Sequence, residues 1–143
     1  METQLFDFEQ NEEQNASPGF RLQRLEVYNW GTFHNQICVV TPEEQNSFAT
    51  GDVGSGKSTL VDALTTLLAP PRKIVYNKAA GAEGKERDLT TYVRGAYKTE
   101  QSEEMRKGKV TYLRDRSYYS VILSVFFHQG LKEFVSLVQV FRP

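Results

Sequence analysis

Polar and apolar residues alternate through Phe20-Arg-Leu-Gln-Arg-Leu-Glu-Val-Tyr-Asn-Trp30, most regularly from Arg24 to Val27. That is the period of a strand with one face buried. Gly31 breaks the run, Thr32 to Val40 reads as a second strand, and Thr41-Pro42 through Asn46 reads as a polar turn. Two closely spaced strands of this kind can pair as an antiparallel hairpin. A short apolar run ending at Phe48 and Ala49 predicts a third, buried strand that leads into a glycine-rich bend. Beyond the bend the period changes, because Leu60, Val61, Leu64, Leu67 and Leu68 recur at helical spacing and give one apolar face. Pro70 to Arg116 is loop-like, with a short helix predicted over Asp88 to Tyr97. Tyr118 to His128 is the most apolar segment and predicts a buried strand; Gln129-Gly130 turns the chain, and Glu133 to Arg142 returns as its antiparallel partner.

The bend between the third strand and the helix carries the chemistry. It reads Gly51-Asp52-Val53-Gly54-Ser55-Gly56-Lys57-Ser58-Thr59, which satisfies the P-loop pattern, where backbone N–H groups cradle the α- and β-phosphates of a nucleotide. A helix start presents free N–H groups and the positive end of its dipole to such phosphates. Gly51, Gly54 and Gly56 permit backbone angles and a close approach that side chains would block. Lys57 is placed to reach the β- and γ-phosphates and the Ser58 hydroxyl to ligate Mg²⁺, with Thr59 next to the α-phosphate. A nucleotide with Mg²⁺ is therefore the expected ligand. The plain alternative is a glycine-rich turn that caps a helix; strand, glycines, Lys-Ser and helix in one succession favour the nucleotide.

Charge divides the chain. Residues 1–19 hold five acids, no Lys or Arg, several Gln and Asn, and then Ser-Pro-Gly, which is the composition of a disordered acidic tail; within it Gln4 to Phe8 is a small apolar cluster. Residues 20–143 keep the 17 basic residues against 13 of the 18 acids, so this part is mildly basic. Its length suits one domain. No apolar run approaches the roughly 18 residues of a membrane span, no signal peptide is visible, and a single cysteine, Cys38, cannot form an internal disulfide. The expectation is a cytoplasmic protein with Cys38 as a buried strand residue. His34 and His128 have no second ligand nearby in sequence, so metal binding is not expected of them. From Lys73 to Arg116 eleven basic residues are interspersed with tyrosines and with acids. Two readings stay open for that region, a patch that neutralises DNA phosphates and a solvated mixed-charge surface.

The succession Leu25-Glu-Val-Tyr-Asn-Trp-Gly-Thr-Phe33, then Thr50 to Leu64 around the glycine bend, then Pro70 to Gly81 and Arg87 to Val93, resembles the N-terminal head segment of SMC-like ATPases. It is most similar to the MukB/MksB-like group and, within it, to the JetC-like subunit of Wadjet plasmid-defence systems. The resemblance implies an α/β fold, a P-loop NTPase of ABC/SMC-head type, with ATP as its nucleotide. The chain would be its N-terminal half, with an antiparallel β-subdomain, P-loop strand and helix, and a further β-hairpin. It implies as partners the C-terminal half of the head, a second SMC-like head that closes an ATP sandwich, kleisin-like and accessory subunits, and double-stranded DNA, with no membrane. In such proteins ATP hydrolysis drives DNA loop extrusion or compaction. The resemblance also implies that Arg87 or Arg94 reaches across the nucleotide interface or contacts DNA. No apolar run ending in Asp-Glu and no signature loop occurs here, so the chain supplies phosphate and Mg²⁺ contacts without the groups that orient an attacking water. Nucleotide binding without turnover is the expectation for these residues alone. A module that keeps the P-loop fold but binds DNA or a partner chain without hydrolysis is the competing hypothesis.

Overall fold

The computed structural model describes residues 19–76, 88–100 and 109–143. Four strands, β1 (Phe20–Tyr28), β2 (Ile37–Val40), β5 (Ser120–His128) and β6 (Glu133–Phe141), form one antiparallel sheet in the order β2-β1-β5-β6. A smaller hairpin joins β3 (Ala96–Glu100) to β4 (Lys109–Tyr112). Two α-helices complete the described part, α1 (Lys57–Leu68) and α2 (Leu89–Arg94).

Strand pairing follows the alternation in the sequence. Val27 lies opposite both Cys38 and Ile122, and Leu25 opposite Val40 and Ser124, so one face of the sheet collects residues that point at the core. Leu25, Val27 and Ile122 from that face pack with Ala63 and Leu67 of α1, and with Trp30, Tyr92 and Val93. The rings make the centre. Trp30 stacks on Tyr92 at 5.0 Å with only 10° between planes, and Tyr76 tilts onto the same Tyr92 ring at 5.0 Å.

The hairpins of the sheet agree with the sequence pattern, and the differences have local causes. The second strand is confined to Ile37–Val40 because Asn29, Gly31 and Asn35 all adopt positive φ and wind residues 29–35 into turns. The Asn29 carboxamide fixes that winding: its oxygen accepts from the Asn35 amide at 2.8 Å, while its nitrogen donates to the Tyr119 carbonyl at 3.0 Å. The predicted strand before the glycine bend is absent. Residues 41–56 contain no strand, and Phe48 is 96% exposed. Phe48 is the only large apolar residue between Pro42 and Val53, too little to bury a strand on two faces, and no parallel neighbour exists for it among the described residues.

Helix α2 sits inside the predicted Asp88–Tyr97 window. Its first turn is closed by a reciprocal cap, in which the Asp88 carboxylate accepts from the Thr91 amide and the Thr91 hydroxyl takes the Asp88 amide. Gly95 ends it in the left-handed region at φ 67°. The β3–β4 hairpin was not visible as alternation, since polar residues fill the strands. Cys38 faces the core from β2 but is half-buried, and that burial raises its thiol pKa. The acidic tail, the Gln4–Phe8 cluster, Lys78, Lys85 and Arg87 lie outside the described residues.

Candidate functional site

The glycine bend wraps the start of α1. Gly56 is the residue before the helix, at φ 94°, and no side chain caps it. The first N–H groups of a helix have no partner in the helix itself, so those of α1 face the bend without a competing side chain. An anion is favoured there. Gly51 and Gly54 also take positive φ, 145° and 85°, and a side chain at Gly54 would meet nothing within 4 Å. Residues 51–55 are exposed, while Gly56 to Leu60 are half-buried.

Lys57 turns into this bend. Its ammonium donates to the Gly51 carbonyl at 2.6 Å, to the Asp52 carbonyl at 2.7 Å and to the Ser55 hydroxyl at 3.1 Å. These three acceptors satisfy the three donors of an ammonium. The amine is thus held against the loop backbone of the bend. Ser58 and Thr59 follow in the first turn of α1.

Residues outside the motif shape the bend from below. An added methyl at Gly56 would meet the Phe33 ring at 2.6 Å, so that ring presses directly on the loop backbone. One at Gly31 would meet the Thr59 methyl at 2.5 Å. The Trp30 indole donates to the Thr59 carbonyl at 3.0 Å. Trp30, Gly31 and Phe33 therefore seat the first turn of α1, a role their polar-interrupted context does not reveal. Asp62, one turn further along α1, is buried and accepts a hydrogen bond from the Tyr92 hydroxyl.

Residues 22–83 match the family model described as the P-loop containing region of AAA domain. The chain carries a P-loop NTPase-like segment. Nucleotide binding, with Mg²⁺ as the usual companion of such a loop, is what that match supports. Comparison with curated proteins finds no match. Every P-loop residue expected to meet nucleotide, Gly51, Asp52, Val53, Gly54, Ser55, Gly56, Lys57, Ser58 and Thr59, falls in the matched range.

Arg94 is the last residue of α2, and its guanidinium lies 3.8 Å from the centroid of the Tyr112 ring, on the β3–β4 hairpin. The Arg94 Nε is buried without a hydrogen-bond partner.

The buried cation in this region is a different one. Arg114, 1% exposed, donates to the carbonyls of Val93 (2.8 Å), Phe33 (3.0 Å), Gly31 (2.8 Å) and Tyr92 (2.9 Å). It ties the end of α2 to the Gly31–Phe33 turn that seats the phosphate loop. Burial pulls its guanidinium pKa down to about 10, so it stays charged at neutral pH. Nothing in the sequence separates Arg114 from the other arginines around it.

No group of His, Cys, Asp and Glu able to hold a metal ion occurs among the described residues. No described helix is long and apolar enough to cross a membrane.

Proposed function

We propose that this chain binds Mg²⁺-ATP at Gly51–Thr59 as the N-terminal half of an ABC-type head of the SMC-like class. The observation that carries the reading is the convergence of one ammonium and an uncapped helix start on a single glycine bend. In this reading the Lys57 ammonium leaves its loop carbonyls for the β- and γ-phosphates, the loop amides hold the phosphate oxygens, and the Ser58 hydroxyl holds Mg²⁺. The metal would neutralise phosphate charge when bound.

The outward edge of α1 supports a missing layer. Val61 and Leu68 are 59% and 53% exposed there, and an apolar helix edge is normally buried against another element. The C-terminal half of the head is the layer we assign to it, bringing the Walker B carboxylates and signature loop. A second head would close the ATP sandwich. Kleisin-like and accessory subunits and double-stranded DNA are the further partners of this reading, and DNA loop extrusion or plasmid restriction its setting. Arg87 and Arg94 remain the proposed interface or DNA contacts.

A fluorescent ATP analogue bound to the chain, followed by anisotropy, tests the site. ATP and ADP are expected to displace it and AMP to compete at least tenfold more weakly, because the loop and Lys57 read the β-phosphate; phosphate release should stay at background. Equal competition by AMP would remove the phosphate loop as the site. Duplex DNA binding that is unaffected by nucleotide, with no analogue bound at all, would favour the non-hydrolysing module instead.

A further inference from the structure

The sheet has a second face, opposite α1, that the described residues leave uncovered. Ile37 and Val39 of β2, Val121 and Leu123 of β5, and Val138 and Val140 of β6 all point to it, as their cross-strand register requires. Val138 and Val140 are 54% and 61% exposed, and Ile37 and Val39 61% and 43%. A shallow groove of about 280 Å³ lies over β1 between β2 and β5, lined by Glu26, Tyr28, Ile37, Tyr119, Val121 and Leu123. Apolar residues dominate this face on β2, β5 and β6, interrupted on β1 by Arg24 and Glu26, and exposed apolar patches of this kind mark interaction surfaces.

We propose that this face packs against the same face of a second copy of the chain, about a two-fold axis, as a sheet-on-sheet sandwich. Three observations select that occupant. Area is the first: with roughly 150–200 Å² per large apolar side chain and about half of each exposed, the exposed members present on the order of 500 Å² of apolar surface. A stable interface buries about 800 Å² per partner, a little over half of it apolar, so this one face supplies what a dimer needs.

Charge is the second. The charged side chains on this face of β1, Arg24 and Glu26, pair with each other at 2.5 Å, so the middle of the face carries no net charge for an acidic or basic partner to read. Like therefore meets like without repulsion, which a two-fold interface demands. Shape is the third. The face is four strands wide, and two twisted sheets pack well when stacked about 10 Å apart. A strand added at the β6 edge would leave the groove between β2 and β5 open.

The phosphate loop and α1 lie on the opposite side of the sheet, so this contact leaves the nucleotide site free and does not depend on it. Sedimentation equilibrium of the 143-residue chain, from about 1 to 100 µM, tests the proposal. The wild type should show the mass of two chains in the upper part of that range, with or without Mg²⁺-ATP. Val138→Glu combined with Val140→Lys should weaken self-association at least tenfold, and Ile37→Lys at the other side of the same face should act likewise. All three positions are more than half exposed, so the variants should fold, which the far-UV circular dichroism spectrum confirms. Leu131→Lys, in the exposed β5–β6 turn, should leave the dimer intact. A wild type that stays a single chain up to about 100 µM would overturn the proposal and point to a different protein on this face. A dimer that survives Val138→Glu/Val140→Lys would overturn it as well, since the contact would then lie elsewhere.

Discussion

Lys57→Ala is expected to abolish the rise in melting temperature that Mg²⁺-ATP gives the wild-type chain. A ligand that binds only the folded state at about 100 times its Kd adds about 2.7 kcal/mol. For a domain of this size that is a rise of about 5–10 °C. The variant should lose all of it, because the ammonium that meets the β- and γ-phosphates is the one positive side-chain group within Gly51–Thr59. Without nucleotide the variant should melt close to the wild type. Its three loop hydrogen bonds are exposed, and substitutions of exposed groups usually change stability by no more than about 0.5 kcal/mol. A variant that keeps the full nucleotide shift would show that phosphates are not bound here.

The largest effect on the fold itself should come from Arg114→Met. The methionine fills similar space but strands four carbonyl oxygens that now share one guanidinium. Hydrogen bonds to a charged group contribute about 1.5–3 kcal/mol each, and a buried acceptor left unsatisfied costs about 1–3 kcal/mol. Gains from removing a buried charge offset part of this, so a net loss of about 3–5 kcal/mol is the expectation, measured by urea unfolding. That is a large share of the stability of any small domain. Arg114→Lys should recover only part, since one ammonium offers three donors to four acceptors on two segments. A loss below about 1 kcal/mol would mean that water replaces the guanidinium.

The two variants act on opposite sides of one connection. Arg114 holds the Phe33 carbonyl, the Phe33 ring presses on Gly56, and Gly56 starts the helix whose N–H groups face the bend. Lys57 belongs to the ligand and Arg114 to the seat beneath it.

Hydrophobic alternation was enough to place the antiparallel hairpins of the main sheet, because burial on one face writes a period into the residues. The helical spacing placed α1 but not its buried face, which is Asp62, Ala63, Thr66 and Leu67, with Val61 and Leu68 exposed. The phosphate loop was readable for another reason: its spacing is imposed by phosphate chemistry, whatever the surrounding fold. What could not be read depends on contacts distant in sequence. The supposed strand at Phe48 had the motif's logic behind it but only one large side chain to bury, and the chain leaves it in solvent. Arg114 looks like any arginine of a basic stretch until the fold brings Gly31, Phe33, Tyr92 and Val93 around it. Trp30 and Gly31 gave no sign of touching Thr59, nearly thirty residues on. The β3–β4 hairpin has too few apolar positions to show a period.

Backbone amides are the groups the account assigns to the phosphates, and amide NMR observes them one by one. On addition of Mg²⁺-ATP the resonances of Gly51, Gly54, Gly56, Lys57 and Ser58 should shift most, with those of β6 unmoved. Unchanged loop resonances at saturating nucleotide, or shifts confined to another part of the chain, would contradict it.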